Sequence, residues 1–170
     1  MVQGTAMATV THEQIFREVR AYLLGLFSCP PESVIQGYQN DAPLPKQAVV
    51  MSILFEHAFD FPASYYEPER DKAAVQQSVE VTMQIDFYGN QAGDRARKLS
   101  NLWKNQYTTA RLTSCQPLYC KDPMQMTFIN EQSRYEERWT VELALQYNPE
   151  FEHELIYLDM PVITLSKPKE

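Results

Sequence analysis

Cysteine is scarce in this chain of 170 residues. Cys29, Cys115 and Cys120 form an odd set, which argues against a disulfide framework and for free thiols in a reducing compartment. Histidine is equally thin. His12, His57 and His153 stand apart, with neither the H-x-x-x-H nor the H-E-x-x-H spacing of a metal site, so each reads as structural. Cys115 and Cys120 have no second ligand pair beside them and make no zinc motif. Nucleophile-elbow and Walker sequences are missing, and Arg134, Glu136, Glu137 and Arg138 read as ion pairs along a strand before they read as acid and base. No apolar run approaches the roughly 20 residues of a membrane span, and the first residues lack a basic region followed by an apolar stretch and a cleavage site. A cytosolic chain without membrane contact is the expectation. Internal repeats and low-complexity stretches are also missing.

Positive charge is in short supply overall. A net charge of -7 argues against a surface that grips nucleic acid by neutralising phosphates. The cations that exist are concentrated: residues 90–112 hold Arg95, Arg97, Lys98, Lys104 and Arg111 against Asp94 alone, a local +4 that leaves -11 for the rest. Two readings stand for this basic segment: a solvated helix face, or a face that pairs with an acidic surface on a neighbouring copy.

What is present is an ordinary globular composition, 44% hydrophobic and 22% charged, enough for one domain over 11–170 behind a mobile tail at 1–10. Its clearest stretch runs from Val79 to Tyr107. Val79, Val81, Met83, Ile85 and Phe87 alternate with Glu80, Thr82, Gln84 and Asp86, the period of a strand with one dry and one polar face. Gly89 and Gly93 break the alternation. Ala92, Ala96, Leu99, Leu102, Trp103 and Tyr107 then follow helical spacing, and the helix is expected to fold back over the dry face of its own strand. The Gly89–Gly93 turn, with Arg95 near, is also the one hint of an anion or nucleotide site, although it has the spacing of neither G-x-G-x-x-G nor the Walker loop.

Thr11 and Gln14 fit a capping box ahead of a first helix with Ile15, Val19, Tyr22, Leu23 and Leu26 on its buried face, stopped by Cys29, Pro30 and Pro31. A short apolar piece, 34–38, leads into a proline-bearing loop at Asn40–Pro45. From Val49 to Phe59 both faces are apolar, Val49, Met51, Ile53, Phe55 and Phe59 on one and Val50, Leu54 and Ala58 on the other. Such a strand is either central in the sheet or covered by a partner chain. Residues 60–74 read as an exposed loop whose Tyr65 and Tyr66 suit a contact surface. Cys115–Cys120 reads as an edge strand containing Pro117, and Lys121–Ser133 as turn-rich. Trp139, Val141, Leu143, Leu145 and Tyr147 mark a second half-buried strand ended by Pro149. Residues 150–170 are a C-terminal arm with a last strand or extended segment over Leu155–Leu165. Together these predict an α+β fold: a largely antiparallel, mixed sheet with two helices packed on one face.

Four stretches in this order, VIQGYQNDAPLPKQAVVMSIL from Val34, VTMQIDFYGNQAGDRARKLSNLW from Val81, QPLYCKDP from Gln116 and YEERWTVELALQYNP from Tyr135, resemble the phage neck terminator, or tail terminator, family of contractile-tailed bacteriophages and prophages. The pieces that carry the resemblance are Gln39 and Asn40 with Pro43 and Pro45, the Asp86, Phe87, Tyr88, Gly89 strand and turn, the Pro117, Leu118, Tyr119 edge, and Arg138 with Trp139. The resemblance implies a structural virion protein of the neck and tail junction, assembled in the bacterial host cytoplasm. It implies no catalytic residues and no cofactor. A homo-hexameric ring on the head-proximal end of the tail tube would end tube and sheath growth, join tail to neck, and leave a channel for DNA in transit.

On that reading Val50, Leu54, Arg95, Arg97, Lys98 and Lys104 are the candidate contacts between subunits. Glu80, Gln84, Asp86 and Glu142 are candidates to face the channel, where acidic walls repel phosphates. Tyr65, Tyr66 and Arg70 are candidates to touch the tail tube or neck. Two alternatives are kept: a head-completion or connector subunit of the neck, and a small anion- or nucleotide-binding domain built on the Gly89–Gly93 turn.

Overall fold

The structure, a computed structural model, describes residues 9–37, 44–68, 72–129 and 135–154, with main chain alone at 127–129, 135 and 136. Residues 1–8 of the tail expected at 1–10, most of the Asn40–Pro45 loop, Arg70, Arg134 and the Leu155–Leu165 segment lie outside the described residues, whereas Val10 packs partly buried against the core.

Helix α1 (His12–Phe27) starts on the predicted capping box, with Gln14 N donating to Thr11 Oγ1 at 3.3 Å and Thr11 N to Gln14 Oε1 at 2.9 Å. Its buried face is Ile15, Val19, Tyr22, Leu23 and Leu26. The chain leaves it through Ser28 at φ 48° and a short 3₁₀ turn at Pro31–Ser33. Strand β1 (Val34–Gln36) pairs parallel with β2 (Val49–Ala58), and β2 pairs antiparallel with β5 (Val79–Tyr88). Beyond β5 lies β8 (Tyr135–Tyr147), whose 13 residues hold two further strands along one edge. β6 (Gln116–Cys120) pairs with its C-terminal part and β7 (Met124–Ile129) with its N-terminal part.

Helix α2 (Ala92–Trp103) turns back from the end of β5, as its apolar spacing predicts, and buries Ala92, Ala96, Leu99, Ser100 and Trp103. Val81, Met83, Ile85 and Phe87 of β5 and Val141, Leu143 and Leu145 of β8 meet both helices in one hydrophobic cluster. The fold is thus α+β, a mostly antiparallel sheet with α1 and α2 on one face. The turn into α2 explains its glycines. Gly89 adopts φ +84°, and a Cβ there would sit 2.3 Å from the Lys46 carbonyl oxygen; a Cβ on Gly93 would meet the Trp139 ring at 2.8 Å. Tyr107 departs from the predicted stripe. It sits in a separate short helix, α3 (Gln106–Thr109), half exposed, with the Arg111 guanidinium 3.5 Å above its ring.

Three segments differ from the sequence expectation. In β2 the register with β5 shifts between Ile53 and Phe55. Ile53 pairs with Met83 on the helix side, but Phe55 pairs with Thr82, so the bulge at Leu54 sends Phe55 to the opposite face and Glu56 to the helix side. The strand lies between β1 and β5, but its second half is solvent-exposed from Leu54 to Ala58. Within the stretch expected to be turn-rich, Met124–Ile129 is strand β7. The expected loop at 60–74 contains two strands, β3 (Ala63–Glu67) and β4 (Lys72–Gln76), which form a three-stranded sheet with β9 (Glu150–Glu154).

That second sheet prolongs the first. Val79 pairs with Tyr147 in the β5–β8 ladder and Gln76 with Glu150 in the β4–β9 ladder, the same register on either side of Pro149. Pro149 therefore interrupts the ribbon without ending it. Its carbonyl accepts from Gln77 N at 3.3 Å, and Phe59 N donates to Ser78 O at 3.0 Å. Three central strands run on past the helices and make an arm.

Candidate functional site

Three surfaces carry the residues singled out from the sequence: the arm, the outer side of α2, and the sheet face away from the helices. Alternation gives the arm two dissimilar sides. Ser64, Tyr66, Ala73, Val75, Phe151 and His153 share one, on which Tyr66 and Phe151 are exposed. Tyr65, Glu67, Lys72, Ala74, Glu150, Glu152 and Glu154 share the other. The two tyrosines, grouped as one contact by the sequence, thus face opposite ways. Tyr65 donates to Glu150, and that bond, with burial and the nearby glutamates, pushes its hydroxyl up to about 12. Lys72 Nζ meets Glu152 Oε2 at 2.8 Å. The arm is fixed at its base where Tyr147 OH donates to Glu56 Oε1 at 2.9 Å and His12 Nε2 lies 2.6 Å from the same oxygen. Burial and this carboxylate both raise the Tyr147 hydroxyl.

The cations of α2 divide by role. Arg95 lies over the Phe87 ring at 5.5 Å and donates to the carbonyls of Tyr88 and Gln47, with its Nε buried and unbonded; burial lowers its pKa. Lys98 Nζ donates to Leu26 O at 3.0 Å, placing a positive charge at the C-terminal end of α1. Arg97 pairs with Asp122 at 3.0 Å in the open, where such a pair contributes little. Lys104 is exposed and makes no ion pair among the described residues. Arg97 and Lys104 are therefore the outward charges, whereas Arg95 and Lys98 bind the body of the protein together.

On the face away from the helices, Val50, Phe55, Glu80, Gln84, Asp86 and Glu142 come together by register. Their charges are largely answered. Asp86, expected on a wet face, is 4% exposed: Arg138 Nη2 donates to it at 3.1 Å, Gln84 Nε2 at 2.7 Å and Thr140 by its hydroxyl. Glu142 pairs with Lys121, and Glu80 accepts from Tyr119 OH at 2.7 Å, which raises the Tyr119 hydroxyl. Around a shallow hollow of about 270 Å³ on this face stand Phe55, His57, Tyr119 and Lys121. Leu54 is exposed at the bulge and Val50 is half-buried.

Sequence reasoning missed Glu150, Phe151, Glu152 and Glu154 as strand residues. The alternation of acid with aromatic over 150–154 was the available signal, masked by Pro149 directly before it. It also missed Glu18, whose carboxylate accepts from Ser114 Oγ at 2.8 Å, from the main-chain N of Thr113 and Ser114 at 3.0 Å each, and from the Thr113 hydroxyl. Burial works to raise this carboxyl, but those bonds together hold it below its ordinary value. Cys115 is buried and its thiol is pushed up to about 12 by that burial and by Glu18.

Among the described residues no group of three or more histidine, cysteine, aspartate or glutamate side chains is placed to hold a metal, and no helix is long and apolar enough to cross a membrane. Prominent in their place are an arm, a cationic helix side and a sheet face bearing exposed aromatics, the surfaces of a protein that makes contacts. The chain belongs to the phage neck terminator family, which it matches over residues 13–168. It is a structural protein of the phage virion tail and not an enzyme. No curated protein matches it. Among solved structures it is similar to the sheath/tube terminator of an extracellular contractile injection system in the extended state, at 10% identity over 96% of this chain and 67% of that one, with a TM-score of 0.46. A chain from the virion of a native gene transfer agent is similar over 81% of this chain and 92% of its own, at 12% identity and a TM-score of 0.34.

Proposed function

We propose that the protein caps the head-proximal end of a phage tail tube as a homo-hexameric ring, ends tube and sheath growth there, joins the tail to the neck, and leaves a channel through which DNA passes. Family membership across residues 13–168 is the observation that carries this reading. The chain folds in the host cytoplasm and is built into the virion. Copies meet through the outer charges of α2, Arg97 and Lys104, and through the exposed second half of β2 at Leu54, with Val50 beside it. Arg95 and Lys98 support that surface from within. Toward the channel stand Glu80, Gln84 and Glu142, with the neutralised Asp86–Arg138 pair beneath them. Tyr66, on the same side of the arm as Phe151, meets the tube or neck.

Polymerisation of purified tube protein tests this reading. With the protein added, tubes are expected to stop short and to carry it at one end. Unchanged tube length, with the protein found only on neck or portal components, would contradict a tail cap and favour a connector subunit.

A further inference from the structure

Between β2 and β3 the chain runs Phe59, Asp60, Phe61 and Pro62. Phe59 is 49% exposed and Phe61 95%, so this loop keeps aromatic surface in water. Its backbone is nevertheless held. Phe59 N donates to Ser78 O at 3.0 Å, Gln77 Nε2 donates to the Asp60 carbonyl, and the ring of Pro62 fixes its own φ. A bulky apolar side chain on a fixed backbone is a preorganised knob, because little ordering entropy is left to lose on contact.

At the other end of β5 lies a cleft of about 700 Å³, within the range of about 300–1,000 Å³ of sites that enclose a small ligand. Phe27, Pro30 and Pro45 give it apolar walls. Lys46, Arg95 and Lys98 line it as cations, and Glu32 and Asp94 as acids, three against two. Arg95 and Lys98 send their hydrogen bonds to main-chain carbonyls, and Arg95 Nε is buried and unbonded. Beside this cleft Tyr88 N donates to Ala48 O at 3.0 Å, whereas Phe59 bonds next to Val79. The 10-residue length of β5, on the order of 30 Å, thus separates knob from cleft, and a chain cannot seat its own Phe61 there.

We propose that the loop at 59–62 of one copy seats in this cleft of a second copy, with the Phe61 ring against Phe27, Pro30 and Pro45 and the Asp60 carboxylate toward Lys46, Arg95 and Lys98. Apolar surface and opposite charge then meet in one contact, an aromatic anchor in a pocket with charges around it. Knob and cleft are different surfaces at opposite ends of the molecule, so the contact is heterologous and gives a ring when its rotation closes. The loop continues the exposed end of β2 and the cleft opens beside α2, the two elements that the ring reading above puts between copies. The contact rests on that reading and deepens it.

Cys29 also lines the cleft, half-buried, and supplies a direct test, since Cys115 and Cys120 are buried. In a Pro62→Cys variant a short bis-maleimide is expected to join position 62 of one copy to Cys29 of the next, giving a ladder of linked chains that reaches six on a denaturing gel. Adding Cys29→Ser removes the ladder. Independently, Phe61→Ser should raise the concentration for half-assembly by about tenfold or more in light scattering coupled to size exclusion. Its circular dichroism spectrum stays unchanged, because a side chain 95% exposed supports little within one chain. Assembly unaltered by Phe61→Ser, a Pro62→Cys ring that yields no linked chains or only pairs, or a ladder that survives Cys29→Ser overturns the contact and leaves the ring reading standing. Wild type found as single copies at every concentration, alone and with tube protein, overturns both.

Discussion

Glu18 shows how single residues hold the elements of this fold in place. Its carboxylate gathers the main-chain and hydroxyl donors of Thr113 and Ser114, tying α1 to the segment that enters β6. Because the folded carboxyl lies below its ordinary value, its contribution is fully present above the ordinary carboxyl range and is lost as pH falls through the folded value. Glu18→Gln should lower stability near neutral pH by about 1 kcal/mol, a figure already reduced for partial exposure. The gap from wild type should close below about pH 4. Denaturant unfolding at both pH values checks it, and a gap that persists in acid would contradict the assignment. Asp86 is the buried counterpart. Asp86→Asn leaves Arg138 without its carboxylate, and a loss of about 3 kcal/mol is expected in the same measurement. Neither residue is legible as a clamp in the sequence, because donor and acceptor are separated by 95 positions in one case and 52 in the other.

At the scale of elements, legibility follows periodicity. Strand β5 and helix α2 announce themselves because each keeps one period over its full length, and α1 because its capping box marks the first turn. Trp103 locks α2 to the sheet, fully buried with its Nε1 donating to Ala144 O at 3.1 Å. Trp103→Ala should therefore cost about 3–5 kcal/mol, read as a lowered midpoint of thermal or denaturant unfolding. A loss under about 1 kcal/mol would mean the helix is held elsewhere. What the sequence hid are interruptions of period. The bulge at Leu54 exchanges the two faces of β2 halfway along, so a strand that looked dry on both sides is buried at Val49 and Met51 and exposed at Phe55. Pro149 looked like an end because it donates no hydrogen bond, yet the ladder resumes in register at Glu150. The paired tyrosines looked like one patch until alternation placed them on opposite sides of the arm.

At the scale of the whole molecule, the charge segregation visible in the sequence acquires a direction. A net -7 chain with a local excess of cations on and after one helix places the glutamates of β9 at the other end of a continuous ribbon. The sheet face away from the helices presents paired charges with Phe55, Tyr119 and Met124 exposed among them. Composition alone carried none of this geometry, because which charges face outward is decided by pairings such as Arg97 with Asp122 and Lys98 with the end of α1. The family resemblance, by contrast, was legible before any coordinates, in four ordered stretches that lie within the matched residues 13–168.

The measurement that tests the central claim most directly is the native mass of the protein, alone and with purified tube protein, across concentration. A closed species near six times the 19.7 kDa of one chain, free or bound to the tube, is the predicted result. Single copies in both preparations, at every concentration, would contradict a ring that caps the tail.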